Sequence, residues 1–214
     1  MRIRIILADD HPVVRIGARA IIEKSEIGEI VAEAGNADQL FDVLAKTPCD
    51  VLISDFSMPG GQQPDGLAMM EAIARRYPKL PVLMLSVTSN LSILRFVVSA
   101  GVLGLVDKSS GLDELPAAIQ AVHRGSNYVS RALKQRIAEM GEHALSASEA
   151  KPPSPKEFEV LRMLASGKTV TQIAEQVNRS ITTISKQKSD AMRKLGIKTD
   201  VELYGFLKNA GLSS

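Results

Sequence analysis

The sequence predicts two units: a parallel α/β sheet of βα units, and an all-α helix-turn-helix piece joined to it by a linker. Three observations lead there. Short apolar runs alternate with amphipathic stretches through residues 1–125. A stretch rich in Ala, Ser, Glu and Pro, without apolar period, occupies 142–153. Residues 153–214 then carry a short helix, a tight turn and a longer basic helix. The expected division is 1–125, a partly helical linker at 126–152, and 153–214.

Five strand-like runs fall at 3–8, 29–34, 51–54, 82–85 and 104–106. Helical patterns lie between them at 13–24, 37–46, 66–77 and 91–99. A fifth, 112–124, aligns Leu112, Leu115, Ile119 and Val122 on one face, with Gly125 as its stop. Five such units imply a sheet covered on both faces, and the flavodoxin-like order 2-1-3-4-5 places strands 1 and 3 side by side. A further helix is expected over 130–141, with Leu133, Ile137 and Met140 at helical spacing.

Ser154-Pro155-Lys156-Glu157 reads as a capping box with Pro at the first helical position, followed by Phe158, Leu161, Met163 and Leu164, and Gly167 as the stop. Helices at 170–177 (Ile173, Ala174 and Val177 inward), 181–195 and 200–210 follow, with Asn178-Arg179-Ser180 as the turn and Gly196 as a C-cap.

The net charge of +2 hides an asymmetry. Residues 153–214 hold ten Lys and Arg against six Asp and Glu, whereas the rest holds sixteen against eighteen. A basic second unit on an acidic first one points to a nucleic-acid partner for the second. Cys49 is the single cysteine, which excludes an internal disulfide and suits a reducing cytoplasm. No apolar run reaches bilayer length and no signal-peptide pattern opens the chain, so the expectation is a cytoplasmic protein without a membrane partner.

Asp9-Asp10 closes the first strand and Asp55 follows the third. Carboxyl ends of neighbouring parallel strands share one crevice. Three carboxylates gathered there repel unless a hard cation sits between them, and oxygen ligands of this kind suit Mg²⁺. Asp9 or Asp10 as the N-cap of the next helix is the alternative. His11 is read as structural, or near a metal without binding it, because no second His or Cys is spaced to help.

These residues, with Pro12, Pro78-x-x-Pro81-Val82, Ser86 and Lys108 at further strand ends, resemble the receiver domain of bacterial response regulators. The resemblance implies that Asp55 is the phosphoacceptor, charged by a phosphohistidine donor, either a histidine kinase or a phosphotransfer protein. It implies Mg²⁺ held by Asp9, Asp10, Asp55 and the backbone carbonyl of Ser57, with Ser86 and Lys108 sensing the phosphoryl group. Two features depart from many receivers: Leu105 replaces an aromatic residue three positions before the lysine, and Gly60-Gly61-Gln62-Gln63-Pro64 is inserted. An enzyme of the haloacid dehalogenase type is disfavoured. Ser57 stands where its general acid Asp belongs, and turnover of an external phosphoester then lacks a proton donor.

Ser154 to Leu164, Gly167, Ile173-Ala174, Ser180, Thr182-Thr183-Ile184-Ser185 and Lys194-Leu195-Gly196 are similar to the effector domain of the NarL/FixJ (LuxR-type) regulators. Ile184, Ala191 and Leu195 make the inward stripe of the basic helix. Thr182, Ser185, Lys186, Ser189 and Arg193 then face outward with Lys188 on the flank, a surface suited to a major groove. Lys168, Thr169 and Thr171 are candidate phosphate contacts. The last helix carries Val201, Leu203, Tyr204 and Leu207; the resemblance implies that it mediates effector homodimerisation on double-stranded DNA, with a purely core role for Leu203 and Leu207 as the alternative. The expected function is a non-enzymatic transcriptional regulator controlled through Asp55. The alternative is phosphate-independent control by heterodimerisation with auxiliary regulators.

Overall fold

The computed structural model describes residues 2–56, 58, 62–63, 66–86, 101–139 and 153–209. Its first unit is a parallel sheet in the order β2-β1-β3-β4-β5-β6. The strands are β1 (Ile3–Ala8), β2 (Gly28–Ala34), β3 (Val51–Asp55), β4 (Val82–Ser86), β5 (Gly104–Asp107) and β6 (Tyr128–Val129). Helices α1 (Pro12–Lys24), α2 (Ala37–Lys46), α3 (Gly66–Arg76) and α4 (Leu115–His123) are threaded between them. The expected order is therefore observed, with β6 added at the β5 edge. The helix expected at 91–99 lies outside the described residues.

Two apolar layers hold the sheet, because alternate residues of each strand face opposite sides. Ile5 and Leu7 pack with Ala18, Ile22, Ile53, Leu83, Ile119 and Val122. Ile6 and Ala8 pack on the other face with Leu40, Phe41, Leu52, Met69 and Met84. Each fully buried Ile or Leu contributes about 1.5–3 kcal/mol of transfer energy. Close backbone approach fixes one glycine: a Cβ on Gly28 would meet the Ile3 carbonyl oxygen at 2.7 Å.

Three elements differ from the sequence expectation. Helix α4 starts at Leu115, three residues late, because Pro116 has no N–H to donate and fits only the first turn. Strand β6 is two residues long and too short to leave a pattern. The helix expected over 130–141 is α5 (Arg131–Glu139), with Leu133 buried, and because β6 pairs with β5 the sheet continues past the expected boundary at 125.

The second unit comprises α6 (Pro155–Ala165), α7 (Val170–Gln176), α8 (Ile181–Leu195) and α9 (Asp200–Asn209). Its core gathers Leu161, Leu164, Ile173, Ile184, Ala191, Leu195, Leu203 and Phe206. Val177, expected inward, is 37% exposed: it is the C-cap of α7, one position past the helical stripe. Gly196 closes α8 at φ 71°, a left-handed conformation that glycine adopts without cost.

The capping box at the start of α6 is extended by a long-range pair. Ser154 N–H donates to Glu157 Oε2 at 2.6 Å, and Lys194 Nζ, from α8, donates to the same oxygen at 2.7 Å. Burial alone would raise the Glu157 carboxyl; the Lys194 ammonium and the Ser154 donors hold it below its ordinary value. A depressed carboxylate stabilises above its unfolded pKa, and that contribution disappears as pH falls through the folded value. Glu157→Ala is expected to destabilise this unit by about 2–3 kcal/mol at neutral pH. In a chemical denaturation series the gap should shrink in acid.

Candidate functional site

Strands β1 and β3 are parallel neighbours with Ala8 opposite Ser54, so Asp9 and Asp55 emerge together at their carboxyl ends. Lys108 follows β5 in a 3-10 turn, Lys108–Ser110, in which the Ser109 N–H donates to the Asp107 side chain. Its Nζ lies 2.7 Å from Asp9 Oδ2 and 2.5 Å from Asp55 Oδ2. All three side chains are buried. Three strand ends thus place two carboxylates and one ammonium in a single pocket, as the sequence predicts.

Asp9 does not cap α1. The N-cap is His11, without a side-chain cap bond, and Asp9 Oδ1 instead accepts the His11 backbone N–H at 2.9 Å. Arg15 Nη1 donates to the Asp9 carbonyl at 2.6 Å, fixing the loop from the helix side. The sequence reading missed Arg15; its place one turn after His11 is the available signal.

Burial raises the Asp55 carboxyl to about 6, with Asp9 adding to the rise and Lys108 opposing it. Three carboxyl groups share this pocket with the Lys108 ammonium, so acidic groups outnumber it. Buried oxygens Asp9 Oδ2 and Asp10 Oδ1 accept no hydrogen bond, though Lys108 Nζ and His11 Nδ1 sit at ion-pair distance from them. Hard oxygens, an excess of acidic groups and missing hydrogen-bond donors together fit Mg²⁺. Asp9, Asp10, His11 and Asp55 each offer a ligand atom within 4.8 Å of the others.

Ser86 ends β4 opposite Asp107, which puts its backbone beside the pocket's fourth strand. Its side chain, and Ser57 entirely, lie outside the described residues. Part of the insertion is described: Gln62 and Gln63 donate backbone N–H groups to the Asp38 carboxylate at 3.0 and 2.7 Å. These bonds lower the Asp38 pKa and moor the insertion to the start of α2.

In the second unit α8 presents Thr182, Ser185, Lys186, Ser189 and Arg193 to solvent, opposite buried Ile184, Ala191 and Leu195. Arg193 pairs with Asp190 at 3.0 Å and remains 74% exposed. Lys188 is set apart, since its Nζ is held by Asp200 at 2.7 Å. Thr169 caps α7 in a reciprocal box with Gln172, Lys168 Nζ donates to Gln176, and Thr171 is exposed. On α9, Leu203 and Leu207 belong to the core, whereas Val201 and Tyr204 are exposed one turn apart.

Residues 5–120 match the response regulator receiver domain family, and residues 152–207 match the bacterial regulatory proteins of the luxR family. The chain is a response regulator. It is 37% identical over 209 residues to the transcriptional regulatory protein RcsB of Escherichia coli strain K12, covering 98% of this chain and 95% of that protein. It is 31% identical over 210 residues to the oxygen regulatory protein NreC of Staphylococcus epidermidis, covering 95% of each. Among solved structures, RcsB from Salmonella enterica serovar Typhimurium, bound to promoter P1flhDC in the presence of phosphomimetic BeF3⁻, superposes with a TM-score of 0.70. That pair is 36% identical, and all of both chains is covered. In this response regulator the sheet is the receiver and α6–α9 are the LuxR-type effector. Among its described residues no helix is long and apolar enough to cross a membrane.

Proposed function

We propose that this response regulator is a DNA-binding transcriptional regulator in which Asp55 accepts a phosphoryl group from a phosphohistidine donor, and the charge gained there controls how α8 engages DNA. The observation that carries this reading is the meeting of Asp9, Asp55 and Lys108 at three strand ends. A carboxylate attacking a phosphoryl group faces anion–anion repulsion, so positioning and charge neutralisation do most of the work. The Asp55 oxygen is the nucleophile: its O–P bond forms as the donor's P–N bond breaks and the donor imidazole leaves, while Lys108 Nζ beside it offsets charge on the phosphoryl oxygens. Asp9, Asp10, Asp55 and the Ser57 carbonyl would hold Mg²⁺, which when bound would supply two further positive charges. The Ser86 hydroxyl, at the end of β4, donates to a phosphoryl oxygen and converts new charge into a changed backbone position.

Output runs through α8. Lys186 and Arg193 contact phosphates, and the small hydroxyl side chains of Thr182, Ser185 and Ser189 let the helix sit deep enough to read base edges. Lys168, Thr169 and Thr171, at the start of α7, add phosphate contacts. Lys188 serves mainly to fix α9 through Asp200. Exposed Val201 and Tyr204 support a homodimer matched to a two-fold DNA site. The RcsB structure on a promoter with a phosphate mimic supports the same reading, and no observation requires heterodimerisation in place of phosphorylation. The test is incubation with acetyl phosphate: about one acid-labile phosphate per chain is expected with Mg²⁺ and background without it. Equal labelling in a chelator refutes the proposal.

A further inference from the structure

We propose that His11 is a nitrogen ligand of the divalent ion held at Asp9, Asp10 and Asp55, so that the pocket favours Mn²⁺ or Co²⁺ with the imidazole bound and accepts Mg²⁺ without it. The inference rests on the metal-site reading above and adds a ligand and a selectivity to it. His11 Nδ1 lies 2.5 Å from Asp10 Oδ1 and 3.4 Å from Asp9 Oδ1. The candidate atoms of all four residues fall within 4.8 Å of one another. Ligands of one ion at about 2.1 Å sit roughly 3 to 4.2 Å apart, so movements of several tenths of an ångström bring this set onto a single centre.

The backbone places the imidazole there. His11 is pinned between its own N–H bond to Asp9 Oδ1 and the proline that opens α1. The side chain makes no cap bond, and 67% of it is exposed, on the solvent side of a pocket whose other acids are more buried. An ion entering from solvent therefore meets His11 before Asp55. Lys108 Nζ pairs with Asp9 and Asp55, whereas Asp10 faces the His11 ring. Mg²⁺ prefers oxygen and retains its waters, whereas imidazole suits the later first-row divalent ions, whose affinity for such sites rises from Mn²⁺ to Co²⁺. An imidazole nitrogen beside three carboxylates thus gives selectivity that the carboxylates alone lack.

The experiment titrates Mg²⁺, Mn²⁺ and Co²⁺ separately into the full-length protein, its His11→Ala variant and its His11→Gln variant, by calorimetry. His11→Ala is expected to weaken Co²⁺ by about ten-fold or more and Mg²⁺ by less than about two-fold. His11→Gln, which offers an oxygen, should match wild type for Mg²⁺ and the Ala variant for Co²⁺. Pulsed electron paramagnetic resonance of the Mn²⁺-loaded wild type should show ¹⁴N coupling that vanishes in both variants. Co²⁺ affinities indifferent to His11, with Mg²⁺ still bound, overturn the His11 assignment alone. Absence of binding by all three ions overturns the metal-site reading and this inference together.

Discussion

Asp55→Asn is expected to carry no acid-labile phosphate, against about one per chain for wild type, and to be the more stable protein when metal is absent. The first result follows because an amide cannot form the acyl phosphate. The second follows from burial. The folded carboxyl is raised to about 6, so the folded state binds a proton more tightly than the unfolded one. Its stabilising contribution is complete below the unfolded value, near 4, and is lost as pH rises through about 6. Asparagine carries no charge at either pH and escapes that loss. In a chelator, Asp55→Asn should gain about 2–3 kcal/mol on wild type between pH 4 and pH 7.5, an upper figure because the variant also gives up its ion pair with Lys108. Mg²⁺ should reverse the order, since only wild type gains the full binding energy. Thermal melts at two pH values, with and without metal, read both effects. A variant melting below wild type at pH 7.5 in the chelator would remove charge strain from the account.

Lys186→Ala is expected to weaken binding to operator DNA by about ten-fold at low salt and to reduce the magnitude of the salt slope by about 0.9, the loss of one phosphate contact. Lys186 is fully outward on α8 and makes no ion pair among the described residues, so its charge is available to a duplex. Lys188 provides the contrast. Its ammonium is committed to Asp200 across 2.7 Å, and Lys188→Ala should lower effector stability more than DNA affinity. Salt titrations of the two variants separate these roles. Equal slopes for wild type and Lys186→Ala would take Lys186 out of the interface.

How much of this was legible in the sequence depended on range. Strand β1 and helices α2 and α8 have the bounds that periodicity predicts, because patterning and caps are local and strong there. The capping box at Ser154 and Glu157 was readable for the same reason. Its tie to Lys194 was not, since 37 positions separate the partners and nothing local marks the pair. Periodicity sets Lys188 on the flank of the basic helix, but its commitment to Asp200, twelve positions on, leaves no local mark. Leu203 and Leu207 left two roles open until packing placed them in the core. In the receiver, Asp9, Asp55 and Lys108 were found because strand ends are legible and parallel order brings them together. His11 reads in the sequence as structural or near a metal without binding it, and the turn after β1 sets its ring 2.5 Å from Asp10 Oδ1.

The central claim is that charge gained at Asp55 governs DNA binding by α8, and DNA affinity with and without beryllofluoride, at fixed salt and Mg²⁺, tests it most directly. Wild type should bind operator DNA more tightly by on the order of ten-fold with the phosphate mimic, and Asp55→Asn should not respond. Identical wild-type affinities in the two conditions, or an equal response from the variant, would contradict it.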